Sequence, residues 1–438
     1  MPLAIIESLD HEGRGIAHVD GKAIFIEGAL PGETAEFSSY RKKPNYEKAR
    51  ATAIVKPSSQ RVVPRCRHFG VCGGCSMQHL EPAAQTTVKQ RVLEDAFWHI
   101  ARLRPEVLFP IIHGPAWGYR YRARLSARFV PKKGGALVGF RERSSSYVAE
   151  MDSCEVLPPR ISDLLRPLRR LIDGLSQPDR LPQIEVSIGD IAVPGQCVLV
   201  MRILEPLTPD DEALLRAFSD RHEMVIYLQP GGLTSVALFH PPNAPPLAYT
   251  LPEFGIELRF APTDFTQVNL AVNRVLVRRV MALLAPCQGE RIADMFCGLG
   301  NFTLPIAGSG ARVIGVDRSP VLVERARANA KFNGLEANTE FRVANLFEAT
   351  PETLASLGRC DKMLIDPPRE GAMALIKAIG GLSDAAPGRI VYVSCSPATL
   401  ARDSAVLVHE LGYRLRGAGI ANMFPHTSHV ESMALFER

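Results

Sequence analysis

Apolar positions change their spacing along the chain. Between residues 1 and 58 they fall in short runs, Leu3-Ala4-Ile5-Ile6, Gly15-Ile16-Ala17-His18-Val19, Ala23-Ile24-Phe25-Ile26, Glu33-Thr34-Ala35-Glu36-Phe37 and Ala51-Thr52-Ala53-Ile54-Val55, with turn residues between them. Short strands at that spacing predict a small OB-like β-barrel. Tyr40 to Lys48, between the last two runs, reads as a basic loop with interleaved tyrosines. Such a loop suits either a phosphate backbone with exposed bases or plain solvent. Residues 84–104 shift to helical spacing: Val88, Val92, Leu93, Ala96 and Ile100 predict an amphipathic helix that packs on a neighbouring domain. Tyr119 to Leu125 alternates as a strand, which sets Arg120, Arg122 and Arg124 on one face, either toward RNA or toward solvent. Beyond residue 263, apolar runs end repeatedly in a polar or charged residue, then a turn, then a helical stretch. That pattern predicts a doubly wound α/β sheet.

The strand ends carry the chemistry, because open α/β sheets hold ligands at the carboxyl ends of their strands. Arg291-Ile292-Ala293-Asp294-Met295-Phe296-Cys297-Gly298-Leu299-Gly300-Asn301-Phe302-Thr303 reads as strand, glycine turn and helix start. Gly298 and Gly300 let the backbone turn sharply and approach a ligand. Asp317 ends the next strand 23 positions after Asp294, where a carboxylate suits the hydroxyls of an adenosine ribose. Thr303 replaces the third glycine of a dinucleotide fingerprint, which favours S-adenosylmethionine, a cofactor without a pyrophosphate. A third strand ends at Asp366, and Pro367 and Pro368 stiffen the loop that follows. Methyltransferases of exocyclic amines usually end this loop in an aromatic that stacks on the base; here Arg369 argues against an amine target. The fourth run, Arg389-Ile390-Val391-Tyr392-Val393, delivers Cys395 to the same edge. A lone thiol there is a core residue or a nucleophile, and the neighbouring motifs favour the nucleophile.

Together the strings FCGLGNFTLPIA, GVD, IDPPR, YVSCSPATLARD and HVESMALFER resemble the RNA uracil-C5 methyltransferase family over roughly the last 175 residues. The resemblance implies a Rossmann-like methyltransferase domain over 263–438 that uses S-adenosylmethionine. It implies Cys395 as the nucleophile that adds to uracil C6 and Glu431 as the base that removes the C5 proton. Without it Glu431 would read as a surface residue at a strand edge. His426 and His429 match no family role and read as structural. Ser396 stands where many relatives carry Asn. The family's cofactor contacts fall on Gln267, Phe296, Gly298, Gly300, Asn301, Asp317, Asn345 and Asp366, and its substrate side on Phe265 and Arg369, to which the Arg120, Arg122 and Arg124 stripe is added. Phe265 is equally readable as a core residue before a helix.

Three cysteines, Cys66, Cys72 and Cys75, are spaced C-x5-C-x2-C among Gly70, Gly73 and Gly74, and Cys154 is the best fourth ligand. A local trio with one remote thiolate fits an iron–sulfur cube better than tetrahedral zinc, which usually takes two separated pairs. RCRHFGVCGGC resembles the 23S rRNA branch of the family, which implies a 4Fe–4S cluster on these four residues. Radical S-adenosylmethionine enzymes also combine a cluster with this cofactor, but their C-x3-C-x2-C spacing is absent from this motif. Residues 1–58 resemble the TRAM domain, which in this branch holds RNA; 59–262 are then the central, cluster-bearing α+β domain.

The 438 residues allow two to four domains, and the net charge of +5 permits a nucleic-acid partner without requiring one. The amino terminus lacks a cationic, apolar leader and no window is apolar enough for a membrane span, so the reading is of a cytoplasmic monomer that binds 23S rRNA and no membrane. The same chemistry on tRNA or another 23S uridine, or a non-catalytic RNA-binding iron–sulfur protein, are the alternatives. Intact Cys395, Glu431 and Asp366 and the glycine turn oppose the last.

Overall fold

The computed structural model describes residues 2–190 and 196–438. Its amino-terminal sheet runs in the order Leu3–Ile5, Thr34–Lys42, Tyr46–Lys56, Lys22–Glu27, Gly15–Val19, Ser8–Leu9. The sheet closes over a small core that includes Ile6, Ile24, Ile26, Ala35 and Phe37. The segment from Tyr40 to Lys48 is not the loop that its composition predicts. The strands Thr34–Lys42 and Tyr46–Lys56 pair into it, Lys42 opposite Glu47 and Arg41 opposite Lys48, leaving only 43–45 at the tip. Glu47 accounts for the difference: it accepts from Ser39 Oγ at 2.7 Å and faces Lys22, so cross-strand pairs offset the basic charge.

The central sheet runs Ala237–His240, Val225–Gln229, Cys197–Arg202, Gln183–Ile188, Arg122–Val130, Gly135–Gly139, with one parallel pairing, between Cys197–Arg202 and Val225–Gln229. Its apolar face packs with helix Leu165–Asp173 around Leu125, Leu168, Ile184, Leu199 and Met201. The third sheet has eight strands: Thr339–Val343, Arg312–Asp317, Arg291–Met295, Lys362–Ile365, Arg389–Ser394, Glu431–Glu437, Arg414–Ala421, Val107–Leu108. The first five are parallel and Glu431–Glu437 is antiparallel to both of its neighbours. Strand order reverses between Arg291–Met295 and Lys362–Ile365, which makes the crevice beyond their carboxyl ends the expected ligand site. Helix Leu270–Leu284 covers one face through Leu276, Val277 and Val280.

The helix expected over 84–104 is α-helical over Pro82–Ala96 and continues as a π turn over Phe97–Ala101. It packs on the catalytic sheet beside Leu400, Ala401 and Ile420. The buried stripe is Gln85, Lys89, Leu93, Phe97 and Ala101, whereas Ile100 is 49% exposed, so the face is rotated from the one that apolar spacing predicts. Two polar side chains at buried positions hide the true face, and both find hydrogen-bond partners inside. Val107–Leu108 then adds an edge strand parallel to Arg414–Ala421.

Candidate active site

Strand pairing creates the central juxtaposition. Ser394 pairs with Ser432 at the end of the Arg389–Ser394 strand, so Cys395, the next residue, leaves the strand beside the start of Glu431–Glu437, near enough for the Glu431 charge to act on its thiol. Cys395 is partly exposed, while Glu431 is 3% exposed, which excludes a surface role for that glutamate. Burial, with Asp366 beside it, pushes the Glu431 carboxyl well above the ordinary range. Burial, then the carboxylates of Glu431 and Asp366, push the Cys395 thiol up to about 11, opposed by the guanidinium of Arg369. Desolvation raises Asp366 to about 7. Thiol, glutamate, aspartate and arginine thus share one electrostatic environment at the carboxyl edge of the sheet. Ser396 caps helix Pro397–Ala405, its Oγ accepting from Thr399 N at 3.4 Å, a position that Asn fills equally well. Arg369 reaches His429 Nδ1 at 3.2 Å.

The glycine turn lies across the switch point. Phe296, Gly298 and Gly300 all have positive φ, at 66°, 54° and 98°, and a side chain added at Gly298 would meet open space. Phe296 is a non-glycine residue in that region, a strain often found at ligand sites. Asp317 accepts from Gly298 N at 3.1 Å and Ser319 N at 2.8 Å, tying the turn to the next strand end. Asp294 is fully buried; Thr303 donates to its Oδ2 while Oδ1 has no partner. The open glycine face and this orphaned oxygen fit a ligand with hydroxyl or amino donors. Asn301 is different: its side chain is spent on Tyr249 and Asn273, so any ligand contact falls to its backbone. Asn345 caps a short helix by accepting from Phe347 N. Phe347, which sequence patterning passed over, packs on Phe296 with ring centroids 5.6 Å apart; an aromatic four positions beyond a strand was its only signal.

Phe265 is 67% exposed, which removes the core reading and leaves an aromatic face free at the cleft segment. Gln267 is half-buried beside it. Asp264 pins the segment, accepting from Ala261 N at 2.8 Å and Arg325 Nε at 3.1 Å. The arginine stripe is divided. Arg120 precedes the strand and lies over the Phe140 ring, and Arg122 donates to Thr263 O at 3.0 Å. Arg124 pairs with Glu185 at 2.8 Å. Arg120 Nε and Arg122 Nη1 are buried donors without partners.

Cys66, Cys72, Cys75 and Cys154 line one pocket, together with Phe140, Met151 and Gln78. Gly70, at φ 92°, makes the turn between the first two, and Gly73 stands where a Cβ would lie 3.1 Å from Arg141 O. Burial, with a smaller push from the other thiols of the group, raises Cys75 to about 12 and Cys154 to about 11. Four mutually repelling sulfurs around one cavity suit a cationic centre. Among the described residues no three His, Cys, Asp or Glu side chains converge closely enough for a single metal ion.

Comparison with known proteins gives concordant results. The tRNA (Uracil-5-)-methyltransferase family profile matches residues 254–438 and the TRAM domain profile matches residues 3–37. The chain is 63% identical to the 23S rRNA (uracil(1939)-C(5))-methyltransferase RlmD of Aromatoleum aromaticum and 62% identical to that of Azoarcus sp., over 100% of both chains in each case. The solved tRNA (uracil-54, C5)-methyltransferase of Pyrococcus abyssi, in complex with S-adenosyl-L-homocysteine, has a similar fold. Its TM-score is 0.75 at 24% identity, covering 99% of this chain and 100% of that one.

Proposed function

The chain belongs to the RNA uracil-C5 methyltransferase family, and we propose that it methylates C5 of uridine 1939 in 23S rRNA. Full-length identity above 60% to relatives of that name carries the assignment of substrate. The proximity of Cys395 and Glu431 at neighbouring strand ends supports the proposed mechanism. S-adenosylmethionine, when bound, supplies the methyl group. Phe296, Gly298, Gly300, Asp317 and Asp366 would hold it, with Gln267 and Asn345 at its two ends. The Cys395 thiolate adds to C6 of the uracil, which makes the otherwise poorly nucleophilic C5 electron-rich. After C5 has taken the methyl group, Glu431 accepts the C5 proton, the C5–C6 double bond re-forms and Cys395 leaves. Phe265 stacks on the base, Arg124 and Arg369 offer charge to the RNA, and Arg120 and Arg122 support that side from within. The proposed rRNA substrate supports a cytoplasmic location; among the described residues no helix is long and apolar enough to cross a membrane.

In cells lacking the gene, mass mapping of 23S rRNA should show the fragment containing uridine 1939 lighter by one methyl group, with tRNA unchanged. An unaltered fragment, or a methyl group missing from tRNA instead, would reassign the substrate.

The finer architecture follows the same reading: 1–58 hold RNA, 59–262 carry a 4Fe–4S cluster on Cys66, Cys72, Cys75 and Cys154, and 263–438 form the catalytic domain. Support for the cluster comes from four thiols drawn from two distant segments to one cavity. Protein purified without oxygen should be brown and contain about four irons and four sulfides per chain. Serine at any of the four should lower solubility and RNA affinity before it slows methyl transfer. Colourless, zinc-loaded protein with full activity would refute the cluster.

A further inference from the structure

The segment 422–430 joins the last two strands of the catalytic sheet and ends at Glu431. Its holders come from far upstream. Lys89 Nζ donates to Asn422 Oδ1 and to Phe424 O, both at 2.8 Å. One helical turn away, Gln85 Oε1 accepts from His426 N at 2.8 Å and Gln85 Nε2 lies 3.2 Å from His426 Nδ1. Tyr119 donates its hydroxyl to Pro425 O at 2.9 Å. The backbone N–H groups of Ser76 and Met77 both donate to His426 O, and Trp117 stacks on the His426 ring with centroids 3.8 Å apart. His426 has a φ of 65°, a conformation that a non-glycine residue keeps only when its surroundings fix it.

Gln85, Lys89 and Tyr119 are each at most 2% exposed. Apolar side chains at positions 85 and 89 would pack this helix on the sheet with no polar groups to desolvate. The polar groups that stand there direct bonds to the loop that leads into Glu431. We propose that Gln85, Lys89 and Tyr119 are positioning residues for the proton-removal step, fixing the loop so that Glu431 stands beside Cys395. This rests on the reading of Glu431 as the base. In that step the C5–H bond breaks and its proton passes to the Glu431 carboxylate. The released electron pair forms the C5–C6 double bond as the C6–S bond breaks and the thiolate departs.

The test compares Lys89→Met, Gln85→Leu and Tyr119→Phe with Glu431→Gln and wild type. Single turnovers on an RNA fragment containing the target uridine follow two quantities, methyl incorporation and denaturation-stable protein–RNA adduct. The positioning variants should incorporate methyl at close to the wild-type rate and release product about tenfold or more slowly, so that adduct accumulates. Hydrogen exchange should accelerate over 422–430 and stay unchanged at the glycine turn. Tyr119→Phe removes a single hydroxyl, so it keeps the test open if the two helix variants fail to fold. Wild-type release in all three while Glu431→Gln traps its adduct would overturn the proposal, as would equal slowing of methyl transfer and release. If Glu431→Gln itself forms no adduct, the assignment of the base fails instead.

Discussion

Cys395→Ala should abolish turnover and leave S-adenosylmethionine affinity unchanged. The thiol sits at the carboxyl end of Arg389–Ser394, two strands from the glycine turn on Arg291–Met295, so its loss removes no group proposed to hold the cofactor. Without addition at C6, uracil C5 is too weak a nucleophile, and the loss should reach about 10⁴-fold or more, as for other covalent nucleophiles. Wild-type protein should in turn be trapped on RNA containing 5-fluorouridine. There C5 carries fluorine that no base can remove as a proton, and the adduct cannot collapse. The pH dependence follows from the thiol. Burial and the neighbouring carboxylates raise it to about 11, so the reactive thiolate is scarce at neutral pH. Adduct formation should rise about tenfold per pH unit and level off where pH passes the thiol pKa, a point that the positive charge of bound S-adenosylmethionine would move below about 11. An active Cys395→Ala protein would sink the covalent mechanism.

Local signals served well where one strand and its turn build the feature. The barrel segment, the glycine turn, the strand-end acids Asp317 and Asp366 and the position of Cys395 could all be read from runs of fewer than fifteen residues. Features that depend on distant partners were harder. Glu431 is buried because Glu431–Glu437 inserts antiparallel between two other strands, and no local pattern distinguishes it from an exposed edge glutamate. Spacing marked Cys66, Cys72 and Cys75 as a group, whereas only the fold brings Cys154 to their cavity. The helix over Pro82–Ala96 shows the opposite failure. Apolar periodicity pointed to Ile100, while Lys89 and Gln85 take the buried face because hydrogen-bond partners far along the chain await them. The hairpin through Tyr40 to Lys48 failed similarly, since the register with Glu47, not composition, makes it a strand pair.

Glu431→Gln should separate the two halves of the reaction. Glutamine keeps the shape of the side chain and a hydrogen-bonding head but cannot accept the C5 proton as a carboxylate does. Addition of Cys395 and arrival of the methyl group need no such base, so the variant should methylate once. Its product, still carrying the C5 proton, should then remain bonded to sulfur as an adduct stable to denaturation. The substitution also removes an ionisable group from a crowded buried site, where the carboxyl is already held well above its ordinary range by desolvation and by Asp366. Folding stability should therefore hold or rise, and a melting temperature at or above that of wild type would set unfolding aside as the cause of the arrest. In the wild type the same raised carboxyl must lose its proton before it can act, so release should fall as pH falls while the Gln variant stays flat. Gel analysis of denatured reactions would show the adduct as a shifted protein band containing labelled methyl. Fast turnover with no such band would move the base to another residue, with His429, held against Arg369 at 3.2 Å, the first to replace.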